Sequence, residues 1–216
     1  MEKQYRPLKE LVYDYISEKI ASGELGAGDR VPEPMICDAL GVSRTPVREA
    51  LIQLTTEGYL ENLPRRGFRV RGVTEESAME IYQVLGPLDG QAAYLALPRL
   101  GDGDFRQMSF LIGSMDLAID SRMFDRYDGL QREFHTVYQG KCGNARLLSL
   151  IGELERSFMR PGYGAMNDDE RAALLAKANR EHARILELLQ AGEGTAVRDY
   201  IRDVHWSTEN SQYSVW

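Results

Sequence analysis

The chain has 216 residues, 43% hydrophobic and 27% charged, and a net charge of −7; such a composition excludes wholesale disorder and suits one large domain or two modest ones. No apolar run approaches the ~18 residues of a membrane span, and the N-terminus MEKQYRPLKE lacks the apolar stretch of a secretory signal. Cys37 and Cys142 form neither a disulfide framework nor a metal-ligand spacing, so a reducing cytoplasm is the expected location.

Residues 7–22 place Leu8, Leu11, Val12, Tyr15, Ile16 and Ile20 at helical spacing, with Gly23 closing the helix. A loop comes next, then a short extended piece at Arg30–Val31. A second helix is expected over 33–40, ended by Gly41, and a third over 44–57, with Ala50, Leu51 and Leu54 facing inward and Gly58 ending it. The stretch from Tyr59 to Gly72 reads as strand, tight turn and strand, punctuated by Pro64 and Gly67. Three helices and a two-stranded wing, with a short turn at Gly41-Val42-Ser43 between the second and third helices, make a winged helix-turn-helix.

Beyond it the pattern is helical throughout. Thr74-Glu75-Glu76 reads as a capped helix start. Helices are expected over 75–97, 103–119, 122–140, 144–159, 168–191 and 195–212, with breaks at 98–103, 140–143, 161–164 and 192–194. Gly86-Pro87 should kink the first of these. The predicted fold is mainly α: a winged helix-turn-helix in residues 1–72, joined to a bundle of about six helices in residues 73–216 that serves effector binding and dimerisation.

Charge supports that division. Residues 1–72 carry 11 Lys/Arg and 11 Asp/Glu, so the whole −7 falls on residues 73–216. Within the first part, residues 44–71 hold Arg44, Arg48, Arg65, Arg66, Arg69 and Arg71 against Glu49, Glu57 and Glu61. That local excess lies where a DNA-facing surface is needed, and an acidic remainder would help to orient the molecule on DNA.

Ser43 or Thr45 can cap the third helix, and Pro46 falls in its first turn, where a missing N–H costs little. Arg44 and Arg48, four residues apart, share a face at the end where a recognition helix meets base edges. Arginine's fork matches the O6 and N7 acceptors of guanine. Arg65 and Arg66 stand at the wing tip, suited to phosphate or minor-groove contact. The alternative, a merely solvated basic face, does not account for turn, cap, proline and basic wing arriving in this order.

Residues 8–71 resemble the DNA-binding domain of the GntR family of bacterial regulators. The matching pieces are Gly28-Asp29-Arg30-Val31, Leu40 to Leu51 (LGVSRTPVREAL), Leu54, Glu57-Gly58 and Arg66-Gly67-Phe68-Arg69-Val70. The resemblance implies that Arg30, Ser43, Arg44, Thr45, Arg48 and the wing at Arg65, Arg66 and Gly67 touch a double-stranded operator. Pro34 departs from the pattern, standing where the FadR branch often has a DNA-contacting arginine.

The second half is similar to the FadR-type ligand domain (the FCD fold) at Glu133-Phe134-His135, Gly143 to Leu147 (GNARL) and Glu181-His182. The resemblance implies a divalent metal held by an aspartate, a histidine four residues later and two histidines from the last two helices, with a carboxylate effector nearby. His135, His182 and His205 fall on three predicted helices, and converging neutral imidazoles suit zinc or nickel.

Three departures stand out. Gln131 occupies the aspartate position. The His182–His205 interval is one residue longer than the pattern, which would put Val204 in the ligand position unless Gly192 and Gly194 absorb the shift. Leu85 replaces the arginine four residues before Asp89, which leaves an uncharged effector or a helix used mainly for dimer packing. Without metal, Asp89, Gln131, His135, Asn179 and His182 could still line an effector pocket, and three unrelated histidines are the plain alternative.

These readings favour a homodimeric, ligand-responsive repressor on a pseudo-palindromic operator. The rivals are a dimeric DNA-binding scaffold without effector, and a metal hydrolase. The last lacks support, since the chain has no HExxH, nucleophile elbow or phosphate loop.

Overall fold

The computed structural model describes residues 7–21, 24–56, 58–72, 75–155 and 166–214. The expected Gly23 stop, the Thr74 cap, the end of the helix predicted to reach residue 159 and the break at 161–164 lie outside the described residues. The chain divides into two compact units, the first built on the residues up to Glu75 and the second on most of the remainder.

In the first unit, α1 (Leu8–Ala21), α2 (Glu33–Leu40) and α3 (Arg44–Thr56) enclose a core with a small sheet. Val12, Ile16, Ile36, Val47, Ala50, Leu51 and Leu54 are buried at helical spacing and meet Leu60, Phe68 and Val70 of the sheet. Leu8 and Leu11, expected on the inner face of α1, stay 47% and 40% exposed. Gly41 ends α2 in the left-handed region at φ 64°, and its N–H donates to the Cys37 carbonyl. A Cβ is strained in that conformation, so glycine sets the sharp turn into α3.

The wing is not simply two-stranded. β1 (Arg30–Val31) pairs antiparallel with β3 (Gly67–Val70), which also pairs with β2 (Leu60–Leu63), giving the order β1-β3-β2. A two-residue strand has no period to read. Its role is to cover the free edge of β3, whose backbone groups would otherwise lack partners; Val70 N–H donates to Asp29 O and Gly28 N–H to Val70 O, each at 2.9 Å.

The second unit contains α4 (Glu75–Ala96), α5 (Asp102–Asp120), α6 (Phe124–Gln139), most of α7 (Ala145–Glu155), α8 (Asp168–Gln190) and α9 (Gly194–Tyr200). Tyr127, Phe134, Tyr138, Met108, Met115 and Ile185 form its centre. The termini obey local chemistry. Asn167 caps α8 by accepting from Asp169 and Glu170 N–H at 3.0 Å, while Glu170 accepts from Asn167 N–H. Pro87 lies inside α4, on its exposed side, without interrupting the helix. The same helix approaches α9 and the turn that follows it very closely: a Cβ on Gly90 would stand 2.5 Å from Arg198 O, and one on Gly86 3.2 Å from Arg202 O. The face bearing these glycines is thus taken up by intramolecular packing.

The helix predicted over 195–212 is not one α-helix. α9 gives way to a π-helical turn over Ile201–His205, marked by Trp206 N–H donating to Ile201 O at 2.9 Å, and a 3-10 segment runs over Thr208–Ser214. A π-turn accommodates one extra residue per turn.

Candidate functional site

The first unit presents its predicted DNA-contacting groups on the surface. Arg30, Ser43, Arg44, Thr45, Arg48, Arg65, Arg66 and Gly67 are all exposed. Burial of Val47, Ala50, Leu51 and Leu54 fixes the rotation of α3 and turns Arg44 and Arg48 outward together. Ser43 is the residue immediately before α3. Arg69, next to Arg30 across the β1–β3 ladder, is engaged in an ion pair with Glu61 on β2. At the wing tip Arg66 N–H donates to Leu63 O at 2.9 Å, closing a turn over Pro64 and Arg65, and Arg65 sits at φ 63°. With proline at its second position, this is the type II geometry that normally takes glycine or asparagine at the third.

In the second unit the three histidines come together. Their candidate ligand nitrogens all lie within 4.8 Å of one another, and His135 Nε2 and His205 Nε2 are 3.2 Å apart. The inner nitrogens are left available because the outer ones face carboxylates: His135 Nδ1 lies 3.2 Å from Asp89 Oδ2, and His205 Nδ1 lies 3.0 Å from Glu181 Oε2. A proton on each of those Nδ1 atoms would turn the Nε2 lone pairs inward. His182 is fully buried, and neither ring nitrogen has a hydrogen-bond partner. Burial first, then the neighbouring His205 and His135, pushes its pKa well down, so it remains a neutral donor; burial also lowers His205, against the opposing pull of Glu181.

Asp89 anchors the cluster from α4. Fully buried, it accepts from Tyr138 Oη at 2.7 Å, Trp206 Nε1 at 2.9 Å and Gln139 Nε2 at 3.0 Å. Burial alone would raise its pKa, but the charge and hydrogen bond of His135, with the bonds from Gln139 and Trp206, hold it at about 2.

The donor set fits a divalent metal. Tetrahedral zinc with bonds of about 2.0–2.1 Å brings its ligand nitrogens to roughly 3.3 Å from one another, close to the His135–His205 spacing. Two imidazole nitrogens at that distance, beside a third ring with no hydrogen-bond partner, form a donor set that could hold such an ion. The expected shift to Val204 does not occur. The π-turn, rather than Gly192 and Gly194, takes up the additional residue; Val204 turns outward, 40% exposed, and His205 faces the cluster.

Other sequence candidates are placed less centrally. Gln131 is half-buried one turn before His135, and among the described residues it makes no hydrogen bond to the three imidazoles. Asn179 is buried, but its amide N–H group serves Asp116 Oδ1 at 2.6 Å and Ile112 O at 3.0 Å, tying α8 to α5, while its Oδ1 lacks a partner. Leu85 is fully buried. Glu181, Tyr138, Gln139 and Trp206 also belong to the cluster; of these only Glu181 stands in a matching piece of the sequence, and no role is attached to it there. Glu181 adjoins His182, but one residue on a helix is a turn of about 100°, so adjacency gives no hint that it reaches a different histidine.

Comparison with known proteins agrees with both units. Residues 8–70 match the family of bacterial regulatory proteins named gntR, and residues 80–204 match the FCD domain. The chain is 41% identical over 188 residues, 84% of its length and 78% of the other's, to a protein named as the probable D-xylose utilization operon transcriptional repressor of Paenarthrobacter nicotinovorans. It is 25% identical to the HTH-type regulator YdhC of Bacillus subtilis, across 88% of this chain and 84% of that one. Among solved structures, Escherichia coli McbR/YncC superposes with a TM-score of 0.75 at 23% identity, covering 93% of this chain and 94% of that one. A regulator from Rhodococcus sp. RHA1 superposes with a TM-score of 0.73 at 22% identity, over 95% and 96%. These relatives are transcription regulators, not enzymes, and no helix among the described residues is long and apolar enough to cross a membrane. The chain belongs to the GntR family of bacterial transcriptional regulators, in the branch that joins a winged helix-turn-helix to an FCD domain.

Proposed function

We propose that the protein is a homodimeric repressor that binds a pseudo-palindromic operator through Arg30, Ser43, Arg44, Thr45, Arg48 and the wing at Arg65–Gly67, and releases it in response to a small effector bound beside His135, His182 and His205. The observation that carries the sensing role is His182, buried with two unpartnered nitrogens among two other imidazoles. An unsatisfied buried polar group costs about 1–3 kcal/mol, and a ligand-binding function offsets that cost. His135, His182 and His205 would hold a zinc-like or nickel-like ion, which when bound supplies a Lewis-acid point for an effector oxygen. Asp89 and Glu181 orient two of the ligands, and Gln131 is near enough in sequence to lie at the edge of the effector pocket with Asn179.

A neutral sugar is the first effector to test. Position 85 offers a buried leucine rather than a cation to pair with a carboxylate, and the 41%-identical relative is named for D-xylose utilization. The test is footprinting on a mapped operator with and without D-xylose, beside elemental analysis of untagged protein. Two protected half-sites whose affinity falls with effector are the expected result. Two protected half-sites indifferent to every effector and metal supplied would favour the scaffold reading, and a single unrepeated footprint would overturn the homodimer.

A further inference from the structure

We propose that the outer face of α5 is the two-fold interface of the dimer, with a second copy of this chain as its occupant; the proposal rests on the homodimer reading and specifies its surface. The inner face of α5 is committed to the core through Met108, Leu111, Met115, Ala118 and Ile119. On the opposite side Phe110 and Leu117 are 70% and 68% exposed, the most exposed large hydrophobic residues in the described chain, ahead of Met123 at 53%. A scattered exposed leucine needs no explanation. These two are seven residues apart, so they lie on one stripe, with Gly113 between them and open space where its Cβ would be.

The stripe is self-complementary. One turn outside Phe110 stands Arg106, and one turn outside Leu117 stands Asp120; both are exposed, and neither has an ion-pair partner among the described residues. A two-fold axis passing between residues 113 and 114 lays α5 antiparallel on its mate. It then sets Phe110 against the other copy's Leu117, and brings Arg106 within one residue of the other copy's Asp120, twice over. An isologous contact requires that reciprocity. A parallel arrangement would stack like charges on like. Gly113 at the crossing lets the two backbones approach closely, and the 19-residue helix is about 28 Å long, enough to seat a continuous apolar centre with charged ends.

The experiment is sedimentation equilibrium of the full chain across nanomolar to micromolar concentration. Phe110→Glu should weaken the dimer by roughly 100-fold or more, since a central anchor counts twice in a symmetric interface. Arg106→Glu and Asp120→Arg should each weaken it about 10-fold, and the double reversal should return it to within about 3-fold of wild type. All are surface positions, so circular dichroism should show an unchanged fold. In a Cys37→Ser background, Gly113→Cys should cross-link to its mate on oxidation, whereas Gly103→Cys, about 30 Å from its own mate in this arrangement, should not. A wild type that stays monomeric overturns the homodimer reading itself. A wild-type dimer that Phe110→Glu leaves intact, or a double reversal no better than the singles, overturns the α5 interface while the dimer stands.

Discussion

The two units display their polar groups in opposite ways. The first leaves its arginines on the surface, where water solvates them until DNA arrives, and a hydrophobic core beneath does all the holding. The second draws Asp89, His135, Glu181 and His182 into its interior, where every unpartnered atom lowers the stability of the fold. Exposed function can be changed with little effect on stability, whereas buried function cannot.

That contrast is sharpest at His182, where the largest effect is expected. His182→Leu should abolish metal occupancy, measured by elemental analysis, and should raise the melting temperature of metal-free protein because two orphaned ring nitrogens are removed. A loss of stability in the metal-free state would mean that the imidazole is satisfied after all. Next come the orienting carboxylates: Asp89→Asn and Glu181→Gln should each weaken metal affinity about 10–100-fold. If both variants bind like wild type, the Nδ1 contacts do not set the histidine tautomers.

On the exposed side, Arg44→Ala or Arg48→Ala should cost ~1–3 kcal/mol of operator binding and relax specificity at one position per half-site, while the melting temperature stays put. Equal footprints for wild type and both variants would remove α3 from the major groove. A milder effect comes from acid. The folded chain keeps His182 and His205 neutral, whereas the unfolded chain takes up protons near the ordinary histidine value of 6.5. Stability should therefore be full above that pH and fall as pH drops through it, with no such slope in His182→Leu beyond the share of His205. The smallest effect is expected at the wing: Arg65→Gly should relieve the left-handed strain by about 1 kcal/mol and yet bind DNA less tightly, read by thermal melts beside a salt titration.

The exposed surface is legible in the sequence because its elements are set by short-range rules. Gly41, Pro46 and the Ala50-Leu51-Leu54 stripe fix the turn, start and rotation of α3, so spacing alone puts Arg44 and Arg48 on one outward face. The buried cluster is legible only in its residue types. Three histidines on three helices suggest convergence, but the means depend on hydrogen-bond register. Nothing in the letters Ile-Arg-Asp-Val-His announces a π-turn, and a count of residues points to Val204. Likewise Gly86 reads, with Pro87, as a kink, and Gly90 carries no reading, whereas both admit the backbone of residues 198–202 and so deliver Trp206 to Asp89. The extended piece at Arg30–Val31 is legible, but its two residues carry no alternation that would show its pairing with β3.

Trp206 has a practical consequence. Its indole donates to Asp89 and lies 5.5 Å from the His205 ring and 5.9 Å from that of His135, centroid to centroid. The chain holds only two tryptophans, so replacing Trp216 with phenylalanine leaves a single emitter at the cluster's edge. Nickel or cobalt should darken its fluorescence and zinc should merely shift it, which gives the sensing unit a built-in optical gauge of what it has bound, legible without dye, label or DNA.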